Sequence, residues 1–313
     1  MPPRASSHLR VLPHIRQALD AGRPVVALET SVIAQGLPEP HNADAARRMV
    51  NAIESAGAVA AFTAVVCGLV TLGMEAQELE RFARREHVRK VSARDLGTAV
   101  AERADGATTV AATLAIASAA GVRVMATGGI GGVHRAWPAG TESAVRDESA
   151  DLEELARAAM VVVCAGAKSI LDLPATWERL DTLGIPVVGV GTNEFPAFFS
   201  RSSGIPLGTS VPGAAEAAAI AAAHFGLGRT QSVLVVQPPP AHVALDGDTV
   251  ARAVDVALER AGREGVTGAQ VTPYLLAAVA RETEGRTLET NLALLEANSR
   301  LAAEIAVTLA APV

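Results

Sequence analysis

The chain of 313 residues contains only two cysteines, Cys67 and Cys164. Two thiols cannot form a disulfide framework, and with no His/Cys cluster near them they exclude a structural zinc site. Both lie in apolar runs, as reduced core cysteines of a cytoplasmic protein do. Basic charge is also short: 27 Lys and Arg against 33 Asp and Glu leave a formal net charge of −6. Without a basic field to capture a polyanion, nucleic-acid binding is not expected, whereas a small anion held by a few local cations is compatible with the sequence. Long hydrophobic runs are missing as well. The N-terminal MPPRASSHLR lacks the apolar core of a signal peptide, and later apolar stretches are broken by Gly, Pro or charges, so neither export nor a membrane span is expected. There is no internal repeat, low-complexity linker or long charge run. Residues 1–313 therefore read as one domain, with PPP at 238–240 as a loop.

What is present is an alternation. PVVAL, VAAFTAVV, VRKVS, VRVMA, MVVVCA, IPVVGV and SVLVVQ read as strands, with Ala-rich amphipathic segments between most of them. Strands that are apolar throughout belong to a largely parallel central sheet covered by helices on both faces, an α/β/α sandwich. Helices are expected over HNADAARRMVNAIESAG, ended by Gly57, over DGDTVARAVDVALERAG, with Asp248 as N-cap and Gly262 as stop, and from Thr287 onward.

In open parallel sheets ligands gather at the carboxyl ends of the strands. Four such places are polar here: Glu29 after PVVAL, Lys90 in VRKVS, TGGIGGVHR after VRVMA, and Lys168 after MVVVCAGA. Burial strips an ammonium of its hydration and makes the neutral, nucleophilic amine accessible. Small residues at 165–167 would let a carbonyl carbon approach Lys168 closely, although a strand-end lysine that snorkels to water explains the same local sequence. AGAKS is not a phosphate-binding P-loop, because Ala167 stands where that loop needs glycine.

Glu29 has two readings, a general acid in apolar surroundings or a carboxylate held by the turn at Thr30 and Ser31. TGGIGGVHR does not match a dinucleotide fingerprint, since His134 replaces the third small residue; its glycines serve either tight packing or the approach of a ligand to backbone N–H groups. The amides around Thr108, Thr109 and Val110 open a helix and could face an anion, with capping by Asp105 or Thr108 as the alternative. Asp147, Glu148 and Asp151 precede or start another helix, where acids usually stabilise the dipole. One of them could hold a hard cation that keeps most of its water. Lys90 is an exposed edge residue or a phosphate cation, and Asn291 would ordinarily lie on a helix surface.

Taken together, VVALETSVIAQGLP, KVSARDL, GATTVAAT, ATGGIGGVHR, SADLEEL, VVCAGAKSILDLPAT, PAFFSRSSG, TPYLLAAV and TNLALL resemble the pseudouridine-5′-phosphate glycosidase family, also called indigoidine synthase A-like, over about residues 24–305. The resemblance implies reversible cleavage of pseudouridine 5′-phosphate to uracil and ribose 5-phosphate, one Mn²⁺ per subunit, and a cytoplasmic homotrimer. It makes Lys168 the covalent nucleophile and Glu29 the proton donor. It gives substrate contacts to Lys90, the backbone at Val110, Ser149, Ala150 and Asp151, metal binding to Asp147, and pocket positions to His134 and Asn291. The competing readings are a Schiff-base aldolase or lyase acting on another sugar phosphate, and a non-catalytic sugar-phosphate sensor. A requirement for a pyrimidine separates the first, and borohydride trapping the second.

Overall fold

The computed structural model describes residues 8–135, 147–266 and 271–311; the connection from 136 to 146, inside the HRAWPAGTESAVRDES stretch, and the first residues of the N-terminal segment lie outside them. The first six strands are β1 (Leu9–Val11), β2 (Val25–Leu28), β3 (Val59–Val66), β4 (Leu69–Leu72), β5 (Val88–Val91) and β6 (Asp105–Thr108). The rest are β7 (Val124–Ala126), β8 (Val161–Cys164), β9 (Val187–Val190), β10 (Ser210–Val211) and β11 (Val233–Val236). Helices α1 (Pro13–Asp20), α2 (His41–Ser55), α3 (Ala76–Ala83), α4 (Leu96–Ala101), α5 (Val110–Ala119) and α6 (Ala150–Leu155) occupy the first half. They are followed by α7 (Leu173–Thr182), α8 (Ala214–Gly226), α9 (Gly247–Arg263), α10 (Val271–Glu282) and α11 (Arg286–Ala310).

The sheet runs β1-β4-β3-β2-β7-β8-β11-β9-β10, with β6 joined to β3 and β5 to β6. Its centre is parallel, as expected from strands that are apolar at successive positions. β2, β8 and β11 are buried at every residue, so both of their faces are covered. Helix α11 packs on α2, α8 and strands β2, β7 and β8, while α5 packs on α6 and on β2, β3 and β4.

All seven strands read from the sequence form, and four more do not announce themselves. β1 and β10 are very short, and β6 is DGAT, which lacks a β-branched run. β4 is hidden because VAAFTAVVCGLVTL reads as one apolar stretch. It is in fact an antiparallel hairpin turning at Cys67 and Gly68, whose φ angles are +49° and +79°. Two positive φ values in a two-residue loop match the twist of the flanking strands. Cys67 is therefore exposed in a turn and not a core residue, while Cys164 is buried and its thiol is pushed up to about 12 by loss of solvent.

The helix ends also differ in detail. Gly57, at φ +89°, does follow the end of α2. The N-cap of α9 is Asp246, whose carboxylate accepts from the Thr249 N–H, because the helix starts at Gly247, one residue before Asp248. Gly262 lies inside the last turn of α9, and Gly265 at φ +66° follows the end. For α5 the cap is Thr109, since Asp105 is engaged with the Cys67 N–H and Arg81 and Thr108 turns into the core.

Candidate active site

Register brings the strand ends together. Leu28 pairs with Ala126, and Ala126 with Val163, so the residues leaving β2, β7 and β8 emerge side by side. Glu29 and Thr127 are thus neighbours, and the Thr127 hydroxyl donates to Glu29 Oε1 while the Ser31 hydroxyl donates to Oε2. Glu29 is only 4% exposed. A hydroxyl can donate or accept, so these two partners hold the carboxyl in place in either protonation state.

Beyond the strands the chain keeps pairing. The Ala165 N–H donates to the Gly128 carbonyl at 2.9 Å, the Ile130 N–H to Gly166 at 3.0 Å, and the Lys168 N–H back to Ile130 at 3.1 Å. TGGIGG therefore runs alongside AGAKS and fixes the backbone of Lys168. On its other side, Ser149 N–H donates to Gly132 and His134 N–H to Asp147.

Lys90 arrives by a longer route. It sits on β5, whose partner β6 ends in Thr108, and Thr108 is locked to β2 and β3 through hydroxyls: its N–H donates to Thr30 Oγ1 at 2.9 Å and its Oγ1 lies 2.8 Å from Thr63 Oγ1. The residue as a whole is exposed, yet it lines the same cleft as Glu29. Burial of its charged end lowers the Lys90 pKa, Lys168 lowers it further, and Asp151 and Glu29 oppose this. His134 is lowered in the same way, first by burial and then by the two lysines, against Asp147. The charge of Lys168 disfavours that of Lys90, and an anion beside Lys90 would offset this.

Glu29, Lys90, Lys168 and Asn291 line one cleft with Ser31, Gln35, Thr127, Gly128, Gly129, Phe198 and residues of α10. The remaining expected residues are not among those that line it. Val110 is the first residue of α5 and Ser149 caps α6, its hydroxyl accepting from the Asp151 N–H; Ala150 is exposed. Asp151 is buried, and its two oxygens accept from the N–H groups of Ala111, at 2.9 Å, and Gly131, at 2.8 Å. It ties the start of α5 to the glycine segment. The Gly131 amide, which could have faced a phosphate, is consequently spent inside the protein. A Cβ at Gly131 would fall 2.2 Å from Ser149 Oγ, and one at Gly132 2.3 Å from Thr176 Oγ1, so close packing explains these two glycines.

Among the described residues no group of three or more His, Cys, Asp or Glu converges on a point. Asp147 is an exposed carboxylate beside His134. A lone carboxylate fits a hard divalent ion that keeps most of its water, and no protein cage for a dehydrated ion is formed among these residues.

Residues 14–308 match the family model described as indigoidine synthase A like protein. The chain belongs to the indigoidine synthase A-like family. It is 55% identical over 307 residues to a protein of Gemmatimonas aurantiaca named pseudouridine-5′-phosphate glycosidase, covering 98% of this chain and 96% of that one. A protein of the same name from Myxococcus xanthus is 49% identical, with 96% and 98% covered. Among solved structures, the prealnumycin C-glycosynthase AlnA in complex with ribulose 5-phosphate superposes with a TM-score of 0.88 at 38% identity, covering 98% of both chains. An indigoidine synthase A-like protein of Thermotoga maritima gives 0.86 at 37% identity, covering 97% of both.

In this indigoidine synthase A-like chain several site residues escape a reading of the sequence. Thr127 is noticed only as the start of a glycine segment, and its link to Glu29 follows from strand register. Asn291 is not a surface residue: it is 7% exposed, and its Oδ1 has no hydrogen-bond partner among the described residues. Two turns later on α11, Asn298 is fully buried, donates from Nδ2 to the Thr127 carbonyl at 2.8 Å and accepts from Gln237. Their spacing of seven puts both amides on one helix face, which is the signal that could have found them.

Proposed function

We propose that the chain reversibly cleaves the bond between C1′ of ribose and C5 of uracil in pseudouridine 5′-phosphate, giving uracil and ribose 5-phosphate. The observation that carries this reading is the meeting of Lys168, Glu29 and Lys90 in one cleft with the unpaired amide oxygen of Asn291. A carboxylate pair of the usual glycosidase kind would have to expel a carbanion from uracil C5, a poor leaving group. An amine avoids this. Glu29 donates a proton to the ring oxygen, the furanose opens, and the Lys168 amine adds at C1′. After uracil C5 is protonated, the nitrogen lone pair forms the C1′ iminium as the electron pair of the carbon–carbon bond passes to the uracil. Water then hydrolyses the iminium, releasing ribose 5-phosphate and the free lysine.

Lys90 is the cation for the phosphate, whose two negative charges would offset the repulsion between the lysines. The backbone at Val110, the Ser149–Asp151 segment and His134 complete the substrate contacts. Asp147 would hold Mn²⁺ among waters, and the bound ion would supply positive charge for orienting the substrate. The chain acts as one catalytic domain, in a cytoplasmic homotrimer, on a small molecule and not on nucleic acid. Among the described residues no helix is long and apolar enough to cross a membrane.

The test is to incubate the purified protein with pseudouridine 5′-phosphate and Mn²⁺ and to quantify uracil by chromatography, with and without EDTA. Borohydride with ribose 5-phosphate should add the mass of a reduced sugar phosphate to the peptide carrying Lys168. Lys168→Ala should abolish both signals while leaving the folded state intact. Near-normal turnover by that variant would remove Lys168 from the chemistry. A folded, metal-loaded wild type that traps ribose 5-phosphate but releases no uracil would instead favour a sugar-phosphate aldolase or lyase.

A further inference from the structure

The cleft has a feature that bond cleavage does not use. Phe198 adopts φ +65°, a left-handed conformation that is a genuine outlier for a bulky side chain. Such strain persists only where surrounding structure imposes it, and it concentrates at ligand-binding positions. Here the imposing contacts are visible. The Phe198 N–H donates to the Ala165 carbonyl at 3.1 Å, and the adjacent Ala197 bridges to Gly166, so this turn is strapped to the segment that presents Lys168. Phe199 packs edge-on against the Phe198 ring at 4.5 Å between centroids and is buried. Phe198 itself is the only aromatic residue lining the cleft among the described residues.

The two glycines leaving β7 accommodate what flanks them. A Cβ at Gly129 would fall 2.6 Å from Phe198 Cδ2, and a Cβ at Gly128 would lie 3.5 Å from Asn291 Oδ1. A flat apolar ring and an unpaired amide oxygen thus border consecutive glycines in the same cleft that holds the lysines. A ribose phosphate has no use for a planar apolar wall, whereas a pyrimidine has both a face to stack and imide groups to pair.

We propose that Phe198 is the base-recognition residue of this site: its ring packs against the planar pyrimidine and sets affinity and selectivity for the base half of the substrate, independently of the sugar-phosphate half. This rests on the pseudouridine 5′-phosphate reading. The test compares wild type with Phe198→Leu and Phe198→Gly, the latter chosen because glycine accepts the left-handed backbone without strain. Stacking of a base on an aromatic side chain corresponds to roughly 5- to 150-fold in affinity. The KM for uracil in the synthetic direction should therefore rise by roughly tenfold or more in both variants. Borohydride trapping of ribose 5-phosphate should keep its wild-type concentration dependence, which a merely structural role of the ring would not preserve.

A second measurement needs no variant. 5,6-Dihydrouracil keeps the imide but loses the flat aromatic face, so it should inhibit wild type more weakly than uracil. Equal inhibition by the two, an unchanged uracil KM in the variants, or an equal loss of uracil and ribose 5-phosphate binding would overturn the assignment. Absence of uracil release by wild type would overturn the underlying reading instead, and the two failures are distinguishable.

Discussion

Replacing Asp151 by alanine would expose how much of the site is held by one carboxylate. Its two oxygens are acceptors for the backbone N–H groups of Ala111 and Gly131, and the side chain is buried. Each buried donor left without a partner costs about 1–3 kcal/mol, so Asp151→Ala should lose about 2–6 kcal/mol of stability. Asp151→Asn keeps one acceptor and turns an NH₂ toward the other N–H, for a loss of about 1–3 kcal/mol. With a urea m-value of about 3 kcal/mol/M, the alanine variant should unfold at a midpoint lower by about 0.7–2 M, and the asparagine variant should fall between it and wild type. Circular dichroism against urea reads both. An alanine midpoint within about 0.2 M of wild type would mean that water replaces the carboxylate freely, and the view of Asp151 as the tie between α5 and the glycine segment would be wrong. Activity should fall with stability in this case, because the Gly131 segment is the one that pairs with Lys168. Removing the carboxylate also takes away one of the two charges that favour protonated Lys90.

Glu29→Gln should bind ribose 5-phosphate as wild type does but lower kcat by about 10²–10⁴, the range for a positioned general acid; uracil release at the wild-type rate excludes that role. His134 has a folded pKa below its ordinary value because of burial and the two lysines, so the unfolded chain binds its proton first as pH falls. The stability it contributes is fully present above about pH 6.5 and lost as pH drops through the lower folded value, so the urea midpoint of wild type should fall relative to His134→Gln on going from about pH 7.5 to 5. A gap between the two proteins that does not change with pH would refute this. Asn298→Ala strips the Thr127 carbonyl of its donor and should cost about 1–3 kcal/mol, with kcat falling more than KM rises because Thr127 orients Glu29; a stability loss without any change in kcat would show that the amide only packs.

The residues that could be read from the sequence are those tied to local rules. Lys168 and Glu29 follow apolar strands, and the carboxyl ends of parallel strands are where a ligand must sit, so their positions alone nominate them. The same rule nominates Lys90 in VRKVS, but how it reaches the cleft of Glu29, and that Thr127 lies against Glu29, needs pairing information: which strand lies beside which, and in what register, is decided by contacts between segments far apart in the chain. The β3–β4 hairpin was hidden for a related reason, since an apolar run on both sides of Cys67 and Gly68 gives no period from which to infer a reversal. Asn291 and Asn298 are the instructive pair. Their amides stand in the same helical stripe as Leu294, Leu295, Leu301 and Ile305, all buried. A polar side chain repeated in an apolar stripe is costly unless something opposite requires it. What requires it here is the chain leaving β7: once past the last residue paired in register, the Thr127 carbonyl needs a donor, and Asn298 supplies it. The amide two turns nearer the helix start has an oxygen without a partner among the described residues, and Asn291 lines the cleft, so under the proposed function that oxygen is left for the substrate.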